Sequence, residues 1–296
     1  MNILNTHTRK LIIRLLVEGN SIRATARIAE VSRNTVNKLL IDAGKACAEY
    51  QDSAFQDLPC RRMEVDEIWS FVYAKEKNVP RATSAPDKAG DVWTWTAICA
   101  DTKLVPVWRL GDRTSMTAID LMDDLRARLS NRIQLTSDGH KAYFDAVEGA
   151  FGGDVDYAQL VKIYGQAPEQ DKTTRYSPSI CTGSKKKKMI GQPDSKLIST
   201  SYVERQNLTM RMSMRRFTRL TNAFSKKLEN HAHAVALHFM YYNFCRIHLT
   251  LETTPAKKAG VTDQVWSIED LVRMVEQSLP KPKKRGKYKP RKSNSN

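Results

Sequence analysis

The chain has 296 residues, enough for one sizeable domain plus a small one or two, and its 41% apolar content can build a real core. Its formal charge is +16, and eight of those charges lie in residues 280–296, where Lys281, Lys283, Lys284, Arg285, Lys287, Lys289, Arg291 and Lys292 stand with no acid. Such a balance implies a polyanionic partner, and nucleic acid is favoured over an anionic membrane because the tail lacks aliphatic residues to insert.

Five scattered cysteines, odd in number and without a close pair, argue against a disulfide framework or a zinc site and fit a reducing compartment. The apolar run Leu11 to Val17 is short and broken by Arg14, so no signal peptide is expected, and no run approaches a membrane span.

Residues 6–50 read as three helices. His7 to Glu18 ends at Gly19-Asn20, Ser21 caps Ile22 to Ala29, and Ser32 caps Arg33 to about Cys47 with Val36, Leu39 and Leu40 inward. The second and third look like a helix-turn-helix, with Arg33, Asn34, Thr35, Asn37 and Lys38 as base or phosphate readers. Its turn holds Glu30 where glycine is usual. A plain three-helix bundle is the alternative. This gives a domain over 1–50 and a linker over 51–62.

Strands are expected over 63–74, 92–100 and 104–110, then an amphipathic helix from Thr114 with Met116, Ile119, Met122, Leu125 and Leu129. A strand at 133–136, a helix from His140 to about Val147 and a strand at 156–163 complete an α/β mixed sheet flanked by helices. Residues 165–199, with three prolines and the run Lys185, Lys186, Lys187 and Lys188, read as a mobile insertion that orders on a polyanion, or as a plain solvated charge run. Thr200 to Phe217, Asn222 to Arg246 and Ser267 to Gln277 read as helices, and 280–296 as a disordered tail.

Three acids stand apart. Asp66 lies within the apolar strand around Val65 and Trp69, Asp138 follows a strand and precedes Gly139, and Glu204 lies in the first turns of a helix. Each alone is more often structural, but a carboxylate within an apolar strand is costly without a metal or cation. Two strand aspartates with a helical glutamate suit a two-metal phosphoryl-transfer site. Strand alternation puts Glu67 on the opposite face from Asp66. Glu204, Arg211 and Arg215 fall on one face of a continuous helix, with Val203, Met210, Met214 and Phe217 as a separate core stripe. His140, beside Asp138, is a candidate to support the acids or to contact DNA. His231 and His233 point about 200° apart on a helix, unsuited to sharing a metal, and His238 reads as core. A nucleophilic tyrosine at Tyr241-Tyr242 is the competing chemistry, set against an apolar helix pattern in which aromatics are core.

The runs Val65-Asp66-Glu67-Ile68-Trp69-Ser70-Phe71-Val72, Ser137-Asp138-Gly139-His140-Lys141-Ala142-Tyr143 and Tyr202-Val203-Glu204-Arg205-Gln206-Asn207 resemble the DDE motifs of the insertion-sequence-1 family of bacterial transposases. Tyr241 to His248 and Thr254-Pro255-Ala256 resemble its C-terminal region, and the resemblance spans roughly residues 20–260. It implies an RNase H-like catalytic domain (63–279) behind a helix-turn-helix. It also implies a Mg²⁺-dependent recombinase, with Mn²⁺ a substitute, that cuts the ends of its own element and joins them to target DNA. Asp66, Asp138 and Glu204 would be ligands to two metal ions, and Arg211 matches a basic position of the family. A homo-oligomer, at least a dimer on DNA, and a cytoplasmic, nucleoid-associated location follow. The alternative is a DNA-binding regulator derived from a transposase, its catalytic fold kept as scaffold.

Overall fold

Strand β1 (Arg62–Val72) is the spine of the molecule, because both of its edges and both of its faces are used. The computed structural model describes residues 4–165, 181–218 and 221–280. On one edge β1 pairs antiparallel with β2 (Gly90–Cys99), which pairs antiparallel with β3 (Val107–Gly111). On the other edge β1 pairs parallel with β4 (Ile133–Ser137), and β4 pairs parallel with β5 (Val155–Tyr164). The last strand, β6 (Cys181–Ile190), runs antiparallel to β5, so the six-stranded mixed sheet has the order β3-β2-β1-β4-β5-β6.

Helices cover both faces, as a mixed sheet buried on two sides requires. Helix α4 (Ser115–Arg128) makes the crossover from β3 to β4, and α5 (Ala142–Phe151) the crossover from β4 to β5; the two pack together. On the opposite face lie α6 (Ser201–Ser213) and α7 (Leu228–Met240), the latter passing into a single π-turn over Tyr241–Cys245. Val203, Met210, Met214 and Phe217 are all buried, as the stripe predicts. α8 (Pro255–Lys258) and α9 (Ile268–Ser278) follow, α9 with a Ser267/Asp270 capping box.

The three N-terminal helices are α1 (Thr6–Val17), α2 (Ile22–Ile28) and α3 (Arg33–Ala54), with Asn5, Ser21 and Ser32 accepting the capping bonds. Val36, Leu39 and Leu40 are buried as expected. The turn between α2 and α3 does place Glu30 at φ 54, the left-handed region that glycine enters without cost.

Several boundaries differ from the sequence reading. Residues 51–62 are no linker: α3 continues to Ala54, and Phe55, Leu58 and Cys60 are buried. The cause is tertiary. α3 lies so close along α7 that a Cβ on Gly44 would stand 2.5 Å from His233 Cα, and Gln51 Nε2 donates 3.2 Å to the Ala236 carbonyl. α1 is likewise tied to α9 by Lys10–Glu269 (2.6 Å) and Arg9–Glu276 (3.2 Å).

Second, Lys185 to Lys188 are not in a structureless insertion but in β6, opposite Val161, Leu160, Gln159 and Ala158. Main-chain hydrogen bonding to β5 overrides the weak strand preference of lysine, and lysines are well suited to a sheet edge. Residues 166–180 of the expected insertion and 281–296 of the expected tail lie outside the described residues.

Third, α6 stops at Ser213. Met214 is extended (φ −136, ψ 104), and Arg215–Phe217 form a 3-10 turn that brings Phe217 against His231, ring centroids 5.2 Å apart. Arg215 therefore does not continue the helical face of Glu204 and Arg211. Fourth, the segment before Leu228 is not helical, so α7 is shorter than expected at its start, and α5 begins at Ala142, leaving His140 in the preceding turn.

Among the described residues no helix is long and apolar enough to cross a membrane.

Candidate active site

The register of β1 with β4 sets the site. Their ladder ends at Val65↔Ser137, so Asp66 and Glu67 stand just past the C-terminal end of β4, beside the turn that holds Asp138. One carboxylate oxygen each from Asp66, Glu67 and Asp138 comes within 4.8 Å of the others. Asp138 Oδ1 accepts from His140 N (2.9 Å), which folds the Asp138-Gly139-His140 turn. Gly139 permits a close approach there, since a Cβ would meet Val161 Cγ2 at 3.0 Å.

Glu67 belongs to this cluster, contrary to the expectation that alternation would exclude it. Its side chain does lie on the α5 side, where Oε2 accepts from Tyr143 Oη (2.9 Å) and Oε1 from Arg113 (2.7 Å). Beyond the end of β4, however, the ladder no longer separates the two faces, and the carboxylates meet around it. Tyr143 is buried, and desolvation together with Glu67 keeps its phenol well above its ordinary pKa, so it remains a donor to Glu67.

Asp66 is half-buried and linked to α6. Its Oδ2 accepts from Asn207 Nδ2 (2.8 Å) and its Oδ1 from Glu67 N (2.9 Å). Burial first, and then Glu67 and Asp138, push its carboxyl up to about 7. Three convergent carboxylates, with Asp66 resisting ionisation beside the other two, are a donor set that a hard divalent cation would stabilise. Glu67 has the Arg113 guanidinium, whereas Asp66 and Asp138 accept from neutral N–H groups. The residues present therefore fit a divalent ion held by carboxylate oxygens.

Glu204 is not within that 4.8 Å cluster. It is near enough to raise the Asp66 pKa, but its carboxylate is held by Lys162 Nζ (2.5 Å) and Thr200 Oγ1 (2.5 Å). α6 itself is pinned to β1 by Glu64, whose Oε2 accepts from Tyr202 N (2.7 Å) and Val203 N (3.0 Å) at the first turn of the helix. Burial raises the Glu64 carboxyl and these two bonds oppose the rise. Strand alternation sets Glu67 aside, while Glu64, Lys162 and Asn207 escaped the sequence reading. Asn207 was visible as the residue one turn beyond Glu204; the others carried no signal in sequence.

The remaining candidates are dispersed. Arg33, Asn34 and Lys38 are exposed on the first turns of α3, and Thr35 and Asn37 half-buried; Lys38 pairs with Asp42 (2.6 Å). Arg211 and Arg215 are exposed, Arg211 on α6 and Arg215 past its end. Lys185 to Lys188 are exposed on β6, with Lys186 Nζ donating 2.5 Å to the Ser195 carbonyl. His140 is half-buried and packs edge-on against Trp95 (5.8 Å) and Tyr143 (6.1 Å), and its Nδ1 has no partner.

The rejected candidates are core or pack against it. Tyr242 is buried and donates to the Lys103 carbonyl (3.0 Å), and Tyr241 Oη donates to Glu18 (3.2 Å). His231 is buried between Ser70 Oγ and Ser225 Oγ (3.2 Å each), and His238 between Phe239 and Tyr242; burial pushes both imidazoles down to about 3.

No family model matches the chain, and no curated protein matches it. Among solved structures, it is similar to a piggyBac transposase synaptic complex with hairpin DNA, at 11% identity and TM-score 0.44, over 95% of this chain and 75% of that one. It is also similar to a Mos1 Strand Transfer Complex at 14% identity and TM-score 0.24, over 80% and 78% of the two chains. A pre-cleavage Mos1 transpososome is similar at 13% identity and TM-score 0.21, over 53% and 60%. Likeness at this level carries no weight for function, so the chemistry has to come from the site itself.

Proposed function

We propose that the protein is a DDE-type transposase with an RNase H-like core, cutting DNA at the ends of its own element and joining those ends to target DNA. The observation that supports this reading is the convergence of Asp66, Glu67 and Asp138 within 4.8 Å at the end of β4. Asp66, Asp138 and Glu204 are the proposed catalytic acids and would hold Mg²⁺ or Mn²⁺, two ions per site, with Glu67 beside them. When bound, such ions supply charge stabilisation for the attacking and leaving oxygens of an in-line displacement at phosphorus.

The chain's own residues would do the rest. Asp66 and Asp138 are fixed by Asn207 and by the turn at His140. Arg113 holds Glu67, and its guanidinium lies over the Trp93 ring at 4.8 Å, leaving a partly exposed cation next to the acids for a phosphate. Lys162, His140, Arg211, Arg215 and Lys185 to Lys188 are proposed DNA contacts around the site. The first turns of α3, with Arg33, Asn34, Thr35, Asn37 and Lys38, are proposed to read element ends as a helix-turn-helix. DNA is the proposed partner and a dimer on DNA the proposed working form, because two ends must be handled together. The insertion-sequence-1 family remains the finer assignment, supported by the three quoted motifs.

One observation favours the second reading, a DNA-binding regulator on a retained scaffold: Glu204 is ion-paired with Lys162 and lies outside the 4.8 Å cluster of Asp66, Glu67 and Asp138. A strand-cleavage assay separates the two. DNA carrying the gene's flanking repeats, incubated with Mg²⁺ or Mn²⁺, is expected to yield free 3′-OH ends with the wild type and none with Asp138→Asn. Specific binding to the repeats with no product under either metal would leave the regulator.

A further inference from the structure

We propose that Asn207 is a positioning residue for Asp66, its amide fixing the carboxylate plane that a divalent cation would meet; the inference rests on the metal-site reading above. Asn207 is 5% exposed and lies three residues after Glu204 on α6, so a helix that brings Glu204 toward the site brings Asn207 with it. Its Nδ2 donates 2.8 Å to Asp66 Oδ2 while Glu67 N donates to Oδ1, so both oxygens of Asp66 are fixed by different elements. The helix cannot turn away, because Glu64 of the same strand holds its first turn through Tyr202 N and Val203 N.

Two further atoms point to a ligand here. Asn207 Oδ1 is buried without a hydrogen-bond partner, and so is the hydroxyl of Thr96, a fully buried residue directly opposite Asp66 in the β1–β2 register. Buried polar atoms without partners are uncommon and costly. Finding one on the residue that holds Asp66 and the other on its cross-strand neighbour suits a place where a hydrated cation completes the bonding. A purely structural asparagine would be expected to satisfy its own oxygen within the fold.

The test is Mn²⁺ binding to the full-length protein without DNA, read by the electron paramagnetic resonance of free Mn²⁺, alongside thermal unfolding in chelator. Asn207→Leu keeps the branched shape and removes the donor; Asn207→Ser replaces the amide with a hydroxyl too short to reach Asp66 and decides the matter if the leucine variant fails to fold. Loss of a residue that orients a metal ligand typically costs about 10- to 100-fold in affinity, and that is expected for both, with the melting temperature in chelator nearly unchanged. Asn207→Gln, which keeps an amide donor, is expected to recover part of it. Wild-type Mn²⁺ affinity in a folded Leu or Ser variant would overturn the inference. So would a loss that merely follows lost folding in all three. Asp66→Asn and Asp138→Asn separate the two levels: if they too bind Mn²⁺ like the wild type, the metal site itself is wrong, and if they lose it while Asn207→Leu does not, the positioning role alone fails.

Discussion

Lys162 Nζ stands 2.5 Å from Glu204 Oε2, an ion pair between the outer part of β5 and the first turn of α6. It occupies the glutamate that the motif pattern assigns to the metal site, while Asp66, Glu67 and Asp138 converge without it. Glu204 is thus shared between a lysine and the place where a cation would sit. Because both partners are roughly a third exposed, the pair itself is expected to contribute little to stability, on the order of 1 kcal/mol or less. Lys162→Met is therefore expected to leave the melting temperature nearly unchanged and to tighten Mn²⁺ binding severalfold in the absence of DNA. If Lys162 also contacts a phosphate, the same variant will bind DNA more weakly and lower the slope of log affinity against log salt by roughly 0.9. Unchanged metal affinity would show that the ion pair does not compete.

The acid variants distinguish the motif triad from the cluster seen in space. Asp66→Asn, Asp138→Asn and Glu204→Gln are each expected to reduce cleavage by at least about 100-fold, with DNA binding nearly intact. Glu67→Gln is the informative addition. It keeps the Tyr143 contact but loses charge against Arg113, so an effect on cleavage as large as that of Asp66→Asn would place Glu67 among the ligands. A small effect would leave it as a support for Arg113. Full activity of Asp66→Asn in Mg²⁺ would end the metal-site reading.

Acid destabilisation has a built-in source in His231 and His238. Burial pushes both down to about 3 in the folded protein from an ordinary value of 6.5. Above 6.5 both are neutral in either state and their contribution is fully present. As pH falls from 6.5 toward 3 the unfolded chain takes up protons that the folded one refuses, so stability drops, by up to about 1.4 kcal/mol per pH unit for each histidine. Urea midpoints measured between about pH 7 and pH 5 are expected to fall more steeply for the wild type than for His231→Gln with His238→Gln. Parallel slopes would show that other groups dominate the acid limb.

Glu30 offers a gain. Its φ of 54 in the turn before α3 is a conformation that a side chain with a Cβ adopts at a cost and glycine does not. Glu30→Gly is expected to stabilise the protein by about 1 kcal/mol, net of the extra freedom glycine has when unfolded. A lower midpoint in denaturant would mean that the glutamate side chain matters more than the turn.

Gly44 is the opposite case. A Cβ there would stand 2.4 Å from His233 Cβ and 2.7 Å from the His233 carbonyl oxygen, and backbone atoms cannot swing aside. Gly44→Ala is expected to cost roughly 1–3 kcal/mol by forcing α3 from α7, despite alanine's better helix propensity. Unchanged stability would mean the two helices can separate freely.

Local chemistry was enough to find most elements. Ser21 and Ser32 announce themselves as caps and each caps its helix, whereas Asn5 and Ser267 are caps that only the structure identifies. Alternating and continuous apolar runs located five of the six strands, because each of those strands turns residues inward against the covering helices. β6 was illegible since four lysines in succession have no burial pattern; what makes it a strand is the exposed edge of β5.

At the site the sequence determined by itself which carboxylates stand at strand ends and on α6: Asp66, Asp138 and Glu204. Their arrangement in space was decided by the tertiary structure. Whether a carboxylate joins a cluster depends on where neighbouring strands end, and β4 ends one residue short of Asp66's level, which lets Glu67 in. Whether Glu204 faces the cluster depends on β5, whose Lys162 lies far away along the chain and takes its charge. The extension of α3 into the expected linker, to Ala54, has the same origin, its packing along α7, which no local pattern in residues 51–62 could reveal. Periodicity and capping are local forces written residue by residue, whereas strand ends, charge partners and helix contacts are set by segments that meet only when the chain has folded.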